Sequence, residues 1–319
     1  MRLSIVIPFL NEAENLPALH LRLSEVARQL RAQHGVEAEL VMVDDGSTDG
    51  SDRIVAELAQ GPGPAVKLVR LSRNFGSYAA LPAGVAHAGG DAVAFLSADL
   101  QDPPEILLRL VERWREGYEV VFATRSHRDD PAVGKLFSRL YYSLMRRFAV
   151  AQMPPGGTDF CLVDRKVVDS LGDLQEKNSN LFVLLMWAGF RQSTIEYERV
   201  ARTAGRSKWS MGKKLKLFID SFVSFSFFPI RLISTVGAVL SFLGLLYAAF
   251  VAARAIWWDV GVQGWSSLMV VLLLVSGAQL LMLGIISEYL WRSFDASRNR
   301  PTYIVRDVEV FPAHREERV

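Results

Sequence analysis

The residues most able to do chemistry in this 319-residue chain stand just after short apolar runs. Pro8-Phe-Leu-Asn-Glu-Ala-Glu-Asn15 follows the first run and Asp44-Asp-Gly-Ser-Thr-Asp-Gly-Ser51 the second. A carboxylate at the end of a buried strand is costly unless it binds something, and an aspartate there accepts hydrogen bonds from ribose hydroxyls or a base N–H. The two loops together read as a nucleotide pocket. The alternative, that Asn11 and Ser47 or Asp49 only cap helices, explains one residue per loop and not the acids clustered around it. A dinucleotide-binding reading fails, because no G-x-G-x-x-G follows the first run. Further on stands Ser97-Ala-Asp-Leu-Gln-Asp-Pro-Pro-Glu105. Asp99 and Gln101 offer hard oxygen donors suited to Mg²⁺ or Mn²⁺ shared with a diphosphate, since Mg²⁺ commonly takes one or two protein ligands and completes its shell with phosphate and water. Asp102 is read as the cap of the next helix, with Pro103 and Pro104 opening it.

These loops need a scaffold that brings them to one edge. β-rich runs occur at Leu3–Ile7, Glu39–Val43, Val66–Leu71, Ala92–Leu96, Val120–Thr124 and Phe160–Val163, each followed by a longer amphipathic stretch. That alternation is an α/β pattern with a mostly parallel, doubly covered sheet, whose ligand sites lie beyond the carboxyl ends of the strands.

Composition narrows the function further. Lys plus Arg (36) nearly cancel Asp plus Glu (34), leaving a net charge of +2, so the strongly basic balance of a nucleic-acid-binding domain is missing. Nucleic acid is therefore not an expected partner. One cysteine, Cys161, supports neither an internal disulfide nor a cysteine zinc site, as expected for a reducing compartment. The five histidines show no metal-ligand spacing. Mean hydropathy is +0.18, and the apolar residues are concentrated. Leu232 to Ala253 gives 22 residues without a charge and Val260 to Ser287 another 28, each long enough for a bilayer core about 30 Å thick. The spacing predicts transmembrane helices at about 232–253 and 266–287, with Trp257, Trp258 and Trp265 as an interfacial belt. Lys213, Lys214, Lys216 and Arg231 precede the first span, and Arg292, Arg298 and Arg300 follow the second, which places both termini in the cytoplasm of a multi-pass inner-membrane protein. Leu3–Pro8 is too short an apolar run for a signal peptide. The stretch from Arg199 to Lys216 holds seven Lys or Arg and no acid, then runs into amphipathic Leu217–Phe228, the pattern of a helix lying on the membrane surface. The expected division is a catalytic domain over 1–210, a juxtamembrane amphipathic helix over 211–228, two membrane helices within 229–290 and a cytoplasmic tail over 291–319.

The ordered motifs carry a resemblance. Val6-Ile-Pro-Phe-Leu-Asn-Glu12, Val43-Asp-Asp-Gly-Ser-Thr-Asp49, Arg73-Asn-Phe-Gly76, Ala98-Asp-Leu-Gln-Asp-Pro-Pro104, Gly157-Thr-Asp-Phe160, Gly205-Arg-Ser-Lys208, the two spans and Arg300-Pro-Thr-Tyr303 resemble the polyprenyl-phosphate glycosyltransferases of glycosyltransferase family 2. The likeness covers nearly the whole chain. It implies a GT-A fold and an inverting transfer of sugar from a nucleotide-diphosphate sugar to an undecaprenyl- or dolichyl-type phosphate at the cytoplasmic membrane face, in cell-envelope glycan synthesis. It assigns Pro8, Asn11, Glu12, Glu14, Asp44 and the adjacent Asp45 to the nucleotide-sugar, and Asp99 and Gln101 to the divalent ion, Mg²⁺ or Mn²⁺. Asp159 matches the family's catalytic aspartate, with Asp99 as the second catalytic position. Ser97 stands where the family usually has the first acid of Asp-x-Asp, which removes one negative charge from the metal site.

A lipid monophosphate carries about −1.5 to −2 charge and needs no general base to attack. It does need cations, because two like unit charges 4 Å apart repel by about 4 kcal/mol near a protein surface. The resemblance gives Arg125, Ser138 and Arg202 to the acceptor phosphate, with Lys135 a looser match, and Lys208 is read the same way; Lys213, Lys214 and Lys216 are read as attraction to anionic lipid. Expected partners are the nucleotide-sugar, the lipid phosphate, the membrane and, as an open alternative, a homo-oligomer. Two rival functions stand beside this one. A processive polysaccharide synthase needs more spans and a Gln-x-x-Arg-Trp motif that is absent. A catalytically degenerate scaffold would show no metal-dependent stabilisation by nucleotide.

Overall fold

A computed structural model describes residues 1–126, 142–148, 150, 153, 160–172, 180–199, 226, 228–257, 264–298 and 300–314. The chain divides into two compact units, one formed by Met1–Ser221 with Pro301–Val319 and the other by Phe222–Arg300.

The first unit is an α/β sheet. In chain order it contains β1 (Arg2–Phe9), α1 (Leu16–His34), β2 (Glu37–Asp44), α2 (Ser51–Leu58), β3 (Ala65–Leu71), α3 (Ser77–His87), β4 (Ala92–Phe95), α4 (Ile106–Arg115), β5 (Val120–Arg125), β6 (Phe160–Asp164), α5 (Arg165–Ser170), α6 (Leu181–Trp187) and β7 (Gln192–Tyr197). After the second unit the chain returns as β8 (Val305–Phe311). Strand order is β7-β5-β6-β4-β1-β2-β3-β8. β1 pairs in parallel with β2 and β4, β2 with β3, and β5 with β7, whereas β6 and β8 run against their neighbours. The six apolar runs in the sequence are all strands, and the mostly parallel sheet is as expected.

The alternation of side chains across the sheet builds a layer on each face. On one face Leu3, Ile5, Ile7, Leu40, Met42 and Leu68 pack under α1, α2 and α4 through Leu16, Leu19, Leu23, Leu107 and Leu110. On the other face α3 lies close to β1 and β2. A Cβ at Gly84 would stand 2.3 Å from Val6 Cγ1 and 3.0 Å from Val43 Cγ2, so only a glycine admits this approach.

Two strands lie outside the sequence expectation. β7 alternates exposed and buried residues over its last four positions, and β8, expected as tail, is an edge strand antiparallel to β3 from Val66↔Phe311 to Leu71↔Val305. Its sequence, Val-Arg-Asp-Val-Glu-Val-Phe, has the period-two alternation of a half-exposed strand. What holds it is Arg70, nearly buried on β3, which pairs with Asp52 at 3.1 Å, Asp307 at 2.7 Å and Glu309 at 3.0 Å.

The second unit contains α7 (Phe228–Trp257) and α8 (Trp265–Ser297), of 30 and 33 residues. Both are long and apolar enough to cross a membrane, and among the described residues none in the apolar windows Ile230–Tyr247 and Val270–Ser297 is buried within the protein. They meet where Gly237 faces Met282, whose Cε would stand 3.5 Å from a Cβ at the glycine. A small residue at such a contact lets two apolar helices pack closely without a hydrophobic drive between them. The expected juxtamembrane helix over 211–228 falls almost entirely outside the described residues.

Candidate active site

β1, β2, β3 and β4 end side by side, and the loops that follow them make one rim. Phe9 pairs with Asp44 and Asp44 with Arg70, so the ends are level. The first two loops brace each other. Ser47 Oγ accepts the Asn11 N–H at 3.0 Å, Asn11 Oδ1 accepts the Thr48 N–H at 2.8 Å, and Asp49 Oδ2 accepts the Ala13 N–H at 3.2 Å. The Ser51 hydroxyl accepts the Glu12 N–H at 3.0 Å and donates to Asp49 Oδ1 at 2.6 Å. Asn11 takes a left-handed φ of 51°, where asparagine is among the few tolerated side chains. Neither Asn11 nor Asp49 is the N-cap of a helix. α1 and α2 are preceded by Asn15 and Gly50, and neither makes a side-chain cap bond. The polar side chains that read as caps tie one loop to the other, because a backbone N–H in a tight loop has no ladder partner.

The two aspartates ending β2 divide their tasks. Asp45 Oδ1 accepts the Phe75 N–H at 2.7 Å and Oδ2 the Gly76 N–H at 2.9 Å, which folds the loop after β3 against the loop after β2. Gly46 is required beside it, since a Cβ there would come within 2.8 Å of the Arg73 and Asn74 backbone and its φ is +77°. Asp45 is thus a loop-shaping residue. Asp44 is 4% exposed and accepts the Ser47 N–H through Oδ1 at 2.8 Å. Burial pushes its carboxyl above the ordinary range against the opposing Ser47 hydrogen bonds, with Asp52 adding to the rise and Arg306 countering it. Burial likewise raises Asp45. Two acids held in this state next to each other favour a ligand that brings hydrogen-bond donors, as ribose hydroxyls and base N–H groups do. Pro8 lies on β1 paired with Val43, Glu12 accepts the Asn15 side-chain amide at 2.7 Å, and Glu14 is exposed on the same rim. Arg306, from the returning strand, is a contributor that the sequence reading does not name; the period-two alternation of 305–311 is the signal that finds it.

At the end of β4 the chain turns sharply. Leu100 has φ +57°, a position where a bulky side chain is strained, and the turn places the Gln101 N–H on Asp99 Oδ1 at 3.2 Å. Asp99 is 7% exposed. Among the described residues no group of three His, Cys, Asp or Glu side chains is close enough to hold a metal alone. Asp99 and Gln101 do fit an ion of the Mg²⁺ or Mn²⁺ kind that is shared with a diphosphate, because such an ion needs only one or two protein oxygens. Asp102 is not the cap of α4: that position is Glu105, without a side-chain cap bond. Pro103 and Pro104 form the turn just ahead, accepting the Ile106 and Leu107 N–H groups at 3.1 and 3.0 Å. Asp102 instead faces β7, where its Oδ1 accepts the Tyr197 hydroxyl at 2.5 Å and lies 3.2 Å from Arg199 Nε.

The residues read from the sequence as the acceptor side fall only in part among the described residues. Arg125 closes β5, in register with Tyr197 at the end of β7. β6 opens at Phe160, level with Ala123, and Cys161 is level with Phe95, so the chain enters β6 at the same edge where β4 and β5 end. Asp159, Lys135, Ser138, Arg202 and Lys208 lie outside the described residues.

Residues 4–172 match the family described as Glycosyl transferase family 2, and residues 228–292 match one described as GtrB C-terminal hairpin. An uncharacterised glycosyltransferase of Synechocystis sp. is 40% identical over 97% of this chain and 96% of its own length. A bactoprenol glucosyl transferase of Shigella phage SfV is 33% identical over 96% of this chain and 99% of its own. Among solved structures, a mannosyltransferase from Pyrobaculum calidifontis in complex with GDP-Man and Mn²⁺ is 19% identical and aligns with a TM-score of 0.45 over 93% of this chain and 86% of its own. The chain belongs to glycosyl transferase family 2 and has its GT-A fold.

Proposed function

We propose that this enzyme transfers a sugar from a nucleotide-diphosphate sugar to a polyprenyl phosphate of the undecaprenyl or dolichyl type, at the cytoplasmic face of the inner membrane. The observation that carries this reading is the path of the chain. It leaves the sheet for two apolar helices and comes back as β8 in that same sheet, next to the loops that read as the nucleotide pocket. A chain that departs from and returns to one soluble unit crosses a bilayer an even number of times, which suits an enzyme working on lipid head groups at a single face. The Lys and Arg flanks of the spans favour the cytoplasmic face, where nucleotide-sugars are found. The relative named a bactoprenol glucosyl transferase matches along almost its full length, hairpin included, and supports the same acceptor class.

In this reading Pro8, Asn11, Glu12, Glu14 and Asp44 contact the nucleotide, and Asp45 sets the loop that carries Phe75 and Gly76. Asp99 and Gln101 hold a divalent ion, Mg²⁺ or Mn²⁺, whose chemistry is to neutralise charge on the leaving diphosphate. Arg125, Lys135, Ser138, Arg202 and Lys208 offset the repulsion between acceptor phosphate and donor diphosphate. Asp159 orients the sugar or stabilises the positive charge that develops at its anomeric carbon. The acceptor oxygen is already anionic, so a single displacement suffices, and it inverts the anomeric configuration.

The test is transfer of labelled sugar from a nucleotide-sugar panel into lipid extract by membranes that contain the chain. Label is expected in the lipid fraction with one or more donors and is expected to vanish with Asp99→Ala. Undiminished transfer by that variant removes the metal role from Asp99.

A further inference from the structure

Tyr197 stands where the donor side and the acceptor side of the site touch. Its ring is nearly buried and packs edge-on against Phe160, with centroids 6.2 Å apart. Its hydroxyl donates to Asp102 Oδ1 at 2.5 Å. Asp102 is 1% exposed and sits at the end of the turn that carries Asp99 and Gln101. Across the β5–β7 ladder Arg125 is the register partner of Tyr197, so the two residues share one face of the sheet, and the Arg125 charge acts on the same phenol.

A hydroxyl has one proton to give and two lone pairs to receive, while a guanidinium only gives and a carboxylate only receives. The Tyr197 proton goes to Asp102, which leaves the lone pairs of the Tyr197 oxygen as the side that can receive the neighbouring Arg125 guanidinium. Hydrogen bonds aligned in one sense polarise and strengthen one another away from water. The backbone adds to the connection, since the Ser126 N–H donates to the Tyr197 carbonyl at 2.9 Å. Arg199, 3.2 Å from the same Asp102 oxygen, balances the buried charge. Arg125 thus lies beside a residue on another strand, which is itself held by the loop that follows β4.

We propose that Tyr197 is a positioning residue for the transfer reaction, its hydroxyl fixing the Arg125 guanidinium relative to the Asp99–Asp102 turn so that the acceptor phosphate meets the donor diphosphate in one register. The inference rests on the acceptor role of Arg125 in the proposed function. Tyr197→Phe removes one oxygen and keeps the ring against Phe160. It is expected to raise KM for polyprenyl phosphate roughly tenfold, the size of one hydrogen bond to a charged group. KM for the nucleotide-sugar should stay within about twofold, whereas the unfolding temperature should fall, since Asp102 loses a buried donor although the ring packing is kept. A purely structural role would move both KM values together.

A double-mutant cycle gives the second reading. If Tyr197 acts through Arg125, Tyr197→Phe adds nothing to the acceptor KM in an Arg125→Ala background; additive effects overturn the proposal. An unchanged acceptor KM in Tyr197→Phe also overturns it. These failures are distinct from failure of the proposed function itself, in which the unaltered enzyme forms no glycolipid from any donor.

Discussion

Asp44 is under two opposed demands. Burial holds its carboxyl above the ordinary value of 3.8, so the folded protein binds that proton more tightly than the unfolded chain does. Stability therefore falls as pH rises from 3.8 through the raised value, and the proposed role in nucleotide binding is what this cost would serve. Asp44→Asn keeps an oxygen for the Ser47 N–H and removes the charge. It is expected to unfold at a higher temperature than the parent at pH 7, with the gain shrinking toward zero below about pH 4, where the parent is itself protonated. Nucleoside diphosphate affinity should fall about tenfold, the size of one hydrogen bond to an ionised acceptor. Thermal unfolding of both proteins across pH, with and without nucleotide, checks this, and a lower unfolding temperature for the variant at pH 7 contradicts it. Asp44 and Asp99 are legible in the sequence because an acid directly after an apolar run is locally conspicuous. Asp102 and Tyr197 are not, because the bond between them spans 95 positions and gives no local signal. Reading Asp102 as a helix cap is what local sequence alone suggests, and the tertiary partner overrides it.

At the scale of elements, what positions the site is the close approach of α3 and the attachment of β8. Gly84→Val places a branched side chain where a first carbon already stands 2.3 Å from Val6, so α3 must move away from β1 and β2. A loss of at least about 2 kcal/mol is expected, on the scale of overpacked cores, and a chemical denaturation midpoint equal to the parent's contradicts that packing. Arg70→Met keeps the stem and removes the guanidinium that faces Asp52, Asp307 and Glu309. The two acids on β8 are 41% and 49% exposed, so solvent screens much of the attraction and the expected cost is about 1–2 kcal/mol. The effect should be local: hydrogen exchange accelerates in 305–311 and stays slow in β1 and β2, whereas uniform acceleration contradicts a clasp. The central strands are legible because burial on both faces makes them continuous apolar runs. β7 and β8 are at the sheet's two edges, where alternation with polar residues dilutes that signal. The position of β8 after a long apolar helix dilutes it further.

For the molecule as a whole, the two apolar helices are an excursion within a domain whose sheet is completed only after them. Length and lack of charge make these two helices the most legible feature of the sequence, as a bilayer sets one minimum length for any chain that crosses it. The proposed topology predicts that a cysteine at Gly261, between the helices, reacts with an impermeant maleimide from outside intact cells, and that one at Ala313 reacts only after lysis. Cys161 is buried and adds little background. Labelling of both from outside contradicts the arrangement. The central claim, that an anionic lipid is the acceptor, is tested most directly with the purified protein in nanodiscs, given a divalent ion, a nucleotide-sugar panel and polyprenyl phosphate, with the lipid analysed by mass. The account predicts a species heavier than the lipid phosphate by one glycosyl residue, formed only when that phosphate is present. Sugar released into water at the same rate with and without the lipid, and no glycolipid from any donor, would contradict it.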